Sequence, residues 1–160
     1  MEQYVHRYGE EKAGRLLWEG YGLISGGRSG YRLGHLARRS PAQAYRSEDC
    51  RGEILVAHHS HFDLYGNFIS GFCGGLTVGD WHDLPALLRD FQAGHYPSLI
   101  ARLIEAGPVG LLDFAQREYG FVPSSEGYAG KCHLCVDVRR FLVKWDAFPE
   151  LSPRQFYERF

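Results

Sequence analysis

Four cysteines are the residues whose types and spacing could do chemistry. Cys132 and Cys135 stand three apart in "GKCHLCVDVRRFL", residues 130–142, where a loop gives way to an amphipathic pattern. At such a transition both thiols point to one side, and the unpaired amides of the first helical turn favour thiolate over thiol. The placement suits a redox pair, half of a metal site, or two small buried residues. A thioredoxin-like pair needs a preceding strand in a βαβ unit. Here "REYGFVPSSEGYAGK", residues 117–131, reads as a loop, which sets the redox pair aside.

Cys50 and Cys73 bracket the segment 53–72. If that segment is a hairpin, its ends return to within about 5 Å in the strand-pairing direction. Two cysteines from a hairpin and two from a helix start then form a four-thiolate set with none left over. Such a set fits a four-cysteine zinc site, usually built from two short C-x-x-C-like knuckles of which one is present here, or an iron-sulfur cluster. On the residues alone both stay open, beside four inert core cysteines.

Other candidates are weaker. In "HHSH", His59 and His61 share one face of a strand while His58 points away, and two imidazoles plus Asp63 could bind a transition metal. No third ligand is fixed by spacing, so a polar strand face is the preferred reading. Lys131 just before the cysteine pair and His133 between its members could each donate a hydrogen bond to cluster sulfur from outside the ligand set. Arg139, Arg140 and Lys144 extend positive charge along the same helix, as a solvated face also would. No Ser-His-Asp signature and no placed carboxylate pair supports hydrolysis.

The elements that must position these residues read as an α+β chain. Residues 2–18 favour helix without a continuous stripe, and the glycines of "GYGLISGGRSG", residues 20–30, predict a loop rather than a phosphate-binding turn. The run "EILVAHHSHFDLYGNFISGF", residues 53–72, predicts one β-hairpin turning at Gly66-Asn67. Leu84, Leu87, Leu88 and Phe91 predict a helix, and Tyr96, Leu99, Ile100, Leu103 and Ile104 a second that stops at Gly107-Pro108. A third runs from Pro108 to Tyr119. Leu134, Val138, Phe141, Leu142 and Trp145 make the longest stripe, and Ser152-Pro153-Arg154-Gln155 looks like a capping box opening a terminal helix.

The chain of 160 residues is 44% hydrophobic, enough for one sizeable core, and is expected to be a single compact unit over 1–160. Within it, 1–48 is a helical, glycine-rich lead-in, 50–145 the four-cysteine region and 150–160 the terminal helix. A net charge of -1 gives no steering toward nucleic acid, and no stretch approaches the roughly 20 apolar residues of a membrane span. The start lacks a signal peptide's apolar run, so a cytoplasmic protein is expected, where structural disulfides are rare.

The order of these elements resembles the auxiliary-cluster region of radical SAM enzymes, the SPASM or shorter twitch domain. The resemblance rests on "CRGEILVAHHSHFDLYGNFISGFCGGLTVGD", residues 50–80, a helical segment, and "KCHLC", residues 131–135, and covers about 50–142. It implies that Cys50, Cys73, Cys132 and Cys135 ligate one auxiliary 4Fe-4S cluster, with Gly66, Gly75 and Gly79 matching the family's glycines. Four cysteines allow one cluster, which implies the twitch-like form. No C-x-x-x-C-x-x-C is present to hold the cluster that cleaves S-adenosylmethionine, and "LISGGRSG" has Arg28 where an acidic residue belongs. The chain is therefore expected to be part or a relative of such an enzyme, partnered by a radical SAM barrel as domain or separate chain. By itself it is not expected to generate a radical. A structural zinc module acting in binding is the alternative.

Overall fold

The apolar stripes of the second half fold as helices because each places a continuous face against its neighbours. In the computed structural model, which describes residues 2–56 and 60–158, helices α1 (Glu2–Tyr8), α2 (Glu10–Arg15), α3 (Arg28–Leu33) and α4 (Arg51–Leu55) come first. Strands β1 (Ser60–Phe62), β2 (Asn67–Ser70) and β3 (Gly79–Asp80) follow, then α5 (Leu84–Gln92), α6 (Ser98–Tyr119), α7 (Lys131–Leu142) and α8 (Gln155–Glu158). The fold is α+β.

Leu99, Ile100, Leu103, Ile104, Leu111 and Leu112 of α6 are buried against Leu134, Val138 and Leu142 of α7 and form the centre of the core. Each such side chain contributes roughly 2 kcal/mol by leaving water. The backbone of α6 leaves helical angles at Gly107, directly before Pro108, so the element is two helices meeting at a kink, as the sequence predicts. Its N-terminus is held from a distance: Ser98 Oγ and the Leu99 amide donate to Glu150 Oε1 at 2.9 and 2.8 Å. Glu150 is buried, and no local pattern announces its role.

The strand region differs from expectation. Residues 51–55 are helical rather than the start of a hairpin. The Arg51 amide donates to Asp49 Oδ1 and the Ile54 amide to the Cys50 carbonyl, and one helical turn suffices to bury Ile54. The edge of β2 that a longer hairpin would leave open is taken by β3, which pairs Asn67 with Asp80 and Phe68 with Gly79. The hairpin itself is short, with Ser60 opposite Ser70 and Phe62 opposite Phe68.

Its turn is built by Asp63, not by a Gly66-Asn67 pair. The Gly66 amide donates to the Asp63 carbonyl at 3.2 Å, and Asp63 Oδ1 accepts from the Tyr65 and Asn67 amides. Gly66 has φ +83, and a Cβ there would lie 2.5 Å from the Trp81 ring, so only glycine fits.

At the two ends, the glycine-rich stretch is irregular only to Gly27, after which Arg28–Leu33 is helical. The terminal helix begins at Gln155, so Ser152 does not cap it. Among the described residues no helix is long and apolar enough to cross a membrane.

Candidate metal centre

Three separate segments deliver the cysteines. Cys50 is the residue before α4, Cys73 lies in the turns after β2, and Cys132 and Cys135 occupy the first turns of α7. All four are free thiols. All four line one cavity of about 40 Å³. The hairpin does not bring Cys50 and Cys73 together by strand pairing, because its ends are Ser60 and Ser70. Cys50 arrives instead through α4, which packs on α6 and β2.

The α4 start and the α7 start are tied by Lys131. Its Nζ lies 2.7 Å from Glu53 Oε1 and 3.7 Å from Glu48 Oε2, and donates to the Asp49 carbonyl at 2.7 Å. Burial disfavours its charge, and the contact with Glu53 outweighs that and holds the ammonium above its usual value. Lys131 therefore borders the cavity with its charge already engaged.

His133 is not brought to the cavity. Its ring stands between those of Tyr31 and Tyr128 at 4.9 and 5.4 Å between centroids, and its Nδ1 accepts the Ala129 amide at 3.2 Å. The reason is helical rotation: one residue on from Cys132 is about 100° around the axis. The expected role of His133 beside sulfur gives way to a packing role.

Arg139, one turn after Cys135, does reach the cavity. It is 3% exposed, and its Nη1 donates to the Gly74 carbonyl at 3.0 Å and to the Tyr157 hydroxyl at 3.2 Å. Tyr157 in turn donates to the Gly75 carbonyl. Phe156 lies against Gly74 and Gly75; Gly75 has φ +75, and a Cβ there would run into the Phe156 ring. Helix α8 thus packs against Gly74 and Gly75, next to Cys73. The i, i+4 spacing from Cys135 would have marked Arg139; nothing local marks Tyr157.

Three of the thiols, those of Cys50, Cys73 and Cys132, are held protonated by their surroundings. Burial first, then the neighbouring Cys135 and Cys73, pushes the Cys50 thiol far up, and the same causes push Cys132 up to about 12. Burial pushes Cys73 up to about 11, with the Arg139 charge opposing. Thiolates gathered here repel one another unless a cation joins them. Among the described residues, no three His, Cys, Asp or Glu side chains close on a single ion-sized point. The donor set nevertheless has the chemistry of a soft metal centre: four cysteines line one cavity, with a buried guanidinium beside them.

Among the described residues, the histidine run contributes nothing comparable. His58 and His59 lie outside the described residues. His61, in β1 opposite Ile69, packs its ring 5.6 Å from Phe72, and the Asp63 carboxylate is engaged in its own turn, accepting also from Asn67 Nδ2 at 2.7 Å.

A chamber of about 400 Å³ adjoins the cysteine cavity and shares Glu53, Phe72, Cys73, Lys131 and Cys132 with it. Trp18 and Ile24 line its outer part.

Comparison of the chain with protein-family models, with curated proteins and with solved structures found no match.

Proposed function

We propose that Cys50, Cys73, Cys132 and Cys135 hold a 4Fe-4S cluster, and that the chain serves as an auxiliary cluster-binding region of a radical SAM-type protein. The observation that carries this is the common cavity: four unbridged thiols from three segments line one space. The order of hairpin, glycines and C-x-x-C pair, which resembles that family, supports iron and sulfide over zinc. When bound, the cluster supplies one-electron redox chemistry and a surface against which a substrate can be placed.

The protein's own groups define the rest. The four thiols give up their protons on binding metal, so loading is favoured as pH rises. Lys131, engaged by Glu53, holds the α4 and α7 starts in register. Helix α8 packs against Gly74 and Gly75 next to Cys73, while the larger chamber is bordered by Cys73 and Cys132. That asymmetry suits substrate positioning or electron transfer at the chamber face. Cleavage of S-adenosylmethionine falls to a barrel supplied by another domain or chain.

The test is anaerobic reconstitution of the full chain with iron and sulfide, followed by metal and labile-sulfide analysis. About four irons and four sulfides per chain are expected. Stoichiometric zinc without sulfide would replace this reading with the structural zinc module, and no metal at all would end both.

A further inference from the structure

Arg139 is a buried cation without a counter-charge. Its acceptors are neutral: a main-chain carbonyl, a tyrosine hydroxyl that keeps its own proton for Gly75, and the Cys135 thiol. Its Nε is buried and has no hydrogen-bond partner. Among the described residues no carboxylate pairs with it. The other cation at the cavity, Lys131, is neutralised by Glu53.

A buried charge with an unfilled donor is among the most costly arrangements a fold can hold unless an anion meets it. The groups beside this guanidinium that can become anionic ligands are the thiols of Cys135 and Cys73. A cluster held by four thiolates is a net anion, and more so when reduced. The guanidinium lines the same cavity as those thiols, is fixed from behind by Gly74 and Tyr157, and keeps one N–H unfilled.

Resting on the four-thiolate reading above, we infer that Arg139 is the residue that sets the potential of this centre. Its fixed charge and unfilled Nε–H stabilise the bound anion, and the reduced form most. Tyr157, from α8, is the positioning residue that holds the guanidinium in place. Closure of the C-terminal helix and redox poise are thereby coupled.

The experiment uses the full chain as wild type, Arg139→Gln, Arg139→Met and Tyr157→Phe. Each is reconstituted anaerobically, assayed for iron and sulfide, and titrated for its midpoint potential. At matched loading, Arg139→Gln should lower the potential by at least a tenfold change in the oxidised-to-reduced ratio, about 59 mV for a one-electron couple. Tyr157→Phe, which keeps the charge and removes its tether, should shift it less in the same direction.

If Arg139→Gln fails to load, Tyr157→Phe carries the comparison. Unchanged potentials in the variants that load overturn the inference, whereas absence of iron and sulfide in the wild type overturns the cluster reading itself. The unloaded proteins give a separate readout. Arg139→Met should raise the thermal midpoint of the apo chain by removing an unmatched charge, whereas a guanidinium serving only structure would lower it.

Discussion

Two faces of α7 present opposite states of completion. On one, His133 and Asp137 are engaged: Asp137 accepts from Tyr31 at 3.1 Å and Tyr128 at 2.9 Å, Tyr128 accepts from the Ser124 amide, and His133 Nδ1 accepts from the Ala129 amide. On the other, Cys132, Cys135 and Arg139 surround a cavity and include a buried donor with no partner. Native interiors leave few polar groups unsatisfied. A helix that closes one face and leaves an unsatisfied donor on the other fits the proposed centre, which would complete the second face. The closed face holds α7 in place; the open face is the one the proposed centre would occupy.

The largest expected effect breaks this contrast. Loading with iron and sulfide should raise the stability of the wild type by several kcal/mol, since the centre binds the folded state and not the unfolded one. In Cys132→Ala/Cys135→Ala that gain should vanish, while the apo protein changes by about 1–2 kcal/mol. Anaerobic denaturant unfolding of loaded and apo protein measures both.

On the closed face, Asp137→Ala should cost about 3 kcal/mol, because two hydroxyls lose a charged acceptor at once. It should cost the same with and without metal, and unequal losses in urea titrations would mean the two faces are not independent.

Glu150→Gln offers a smaller comparison at a site closed by tertiary capping. It keeps one oxygen for Ser98 and Leu99 but loses the charge at the α6 N-terminus, and about 1 kcal/mol is expected in urea unfolding.

The closed face also has a pH signature. Burial, then the Asp137 charge, holds the Tyr31 hydroxyl well above the ordinary tyrosine value, and burial does the same for Tyr128. A raised folded value gives stability that is complete below the ordinary pKa of about 10 and is lost as pH rises beyond it. Tyr31→Phe should therefore be less stable than wild type at neutral pH but lose less as pH rises above about 10. The smallest effect belongs to neither face: breaking the exposed Arg46–Asp113 pair, 3.6 Å apart, should change stability by less than about 0.5 kcal/mol.

Much of the helical half is legible in residue order. The stripes of α5, α6 and α7 repeat every three to four residues, and Gly107-Pro108 marks the break in α6. The β region is legible only in part, because apolar "EILV", residues 53–56, suits a strand or a helical turn equally, and a two-residue strand such as β3 has no pattern of its own. At the site, the four cysteines are readable as a set. Nearness along the chain points His133 at sulfur, although rotation about α7 carries it to the opposite network. Arg139 reads as surface charge in the residue order, although its spacing from Cys135 places it on the thiol face.

The amino-acid sequence by itself determined that α5, α6 and α7 form and that α6 breaks at Gly107-Pro108, because periodicity, glycine and proline act within a few residues of one another. It also supplied four thiols and no surplus. Tertiary structure alone decided that Cys50 reaches the cavity through a helix rather than a hairpin, that Glu150 caps α6, and that Gly74 and Tyr157 pin an arginine inside. Those outcomes join residues far apart in the chain, and they depend on packing that places each group against a partner no local pattern specifies.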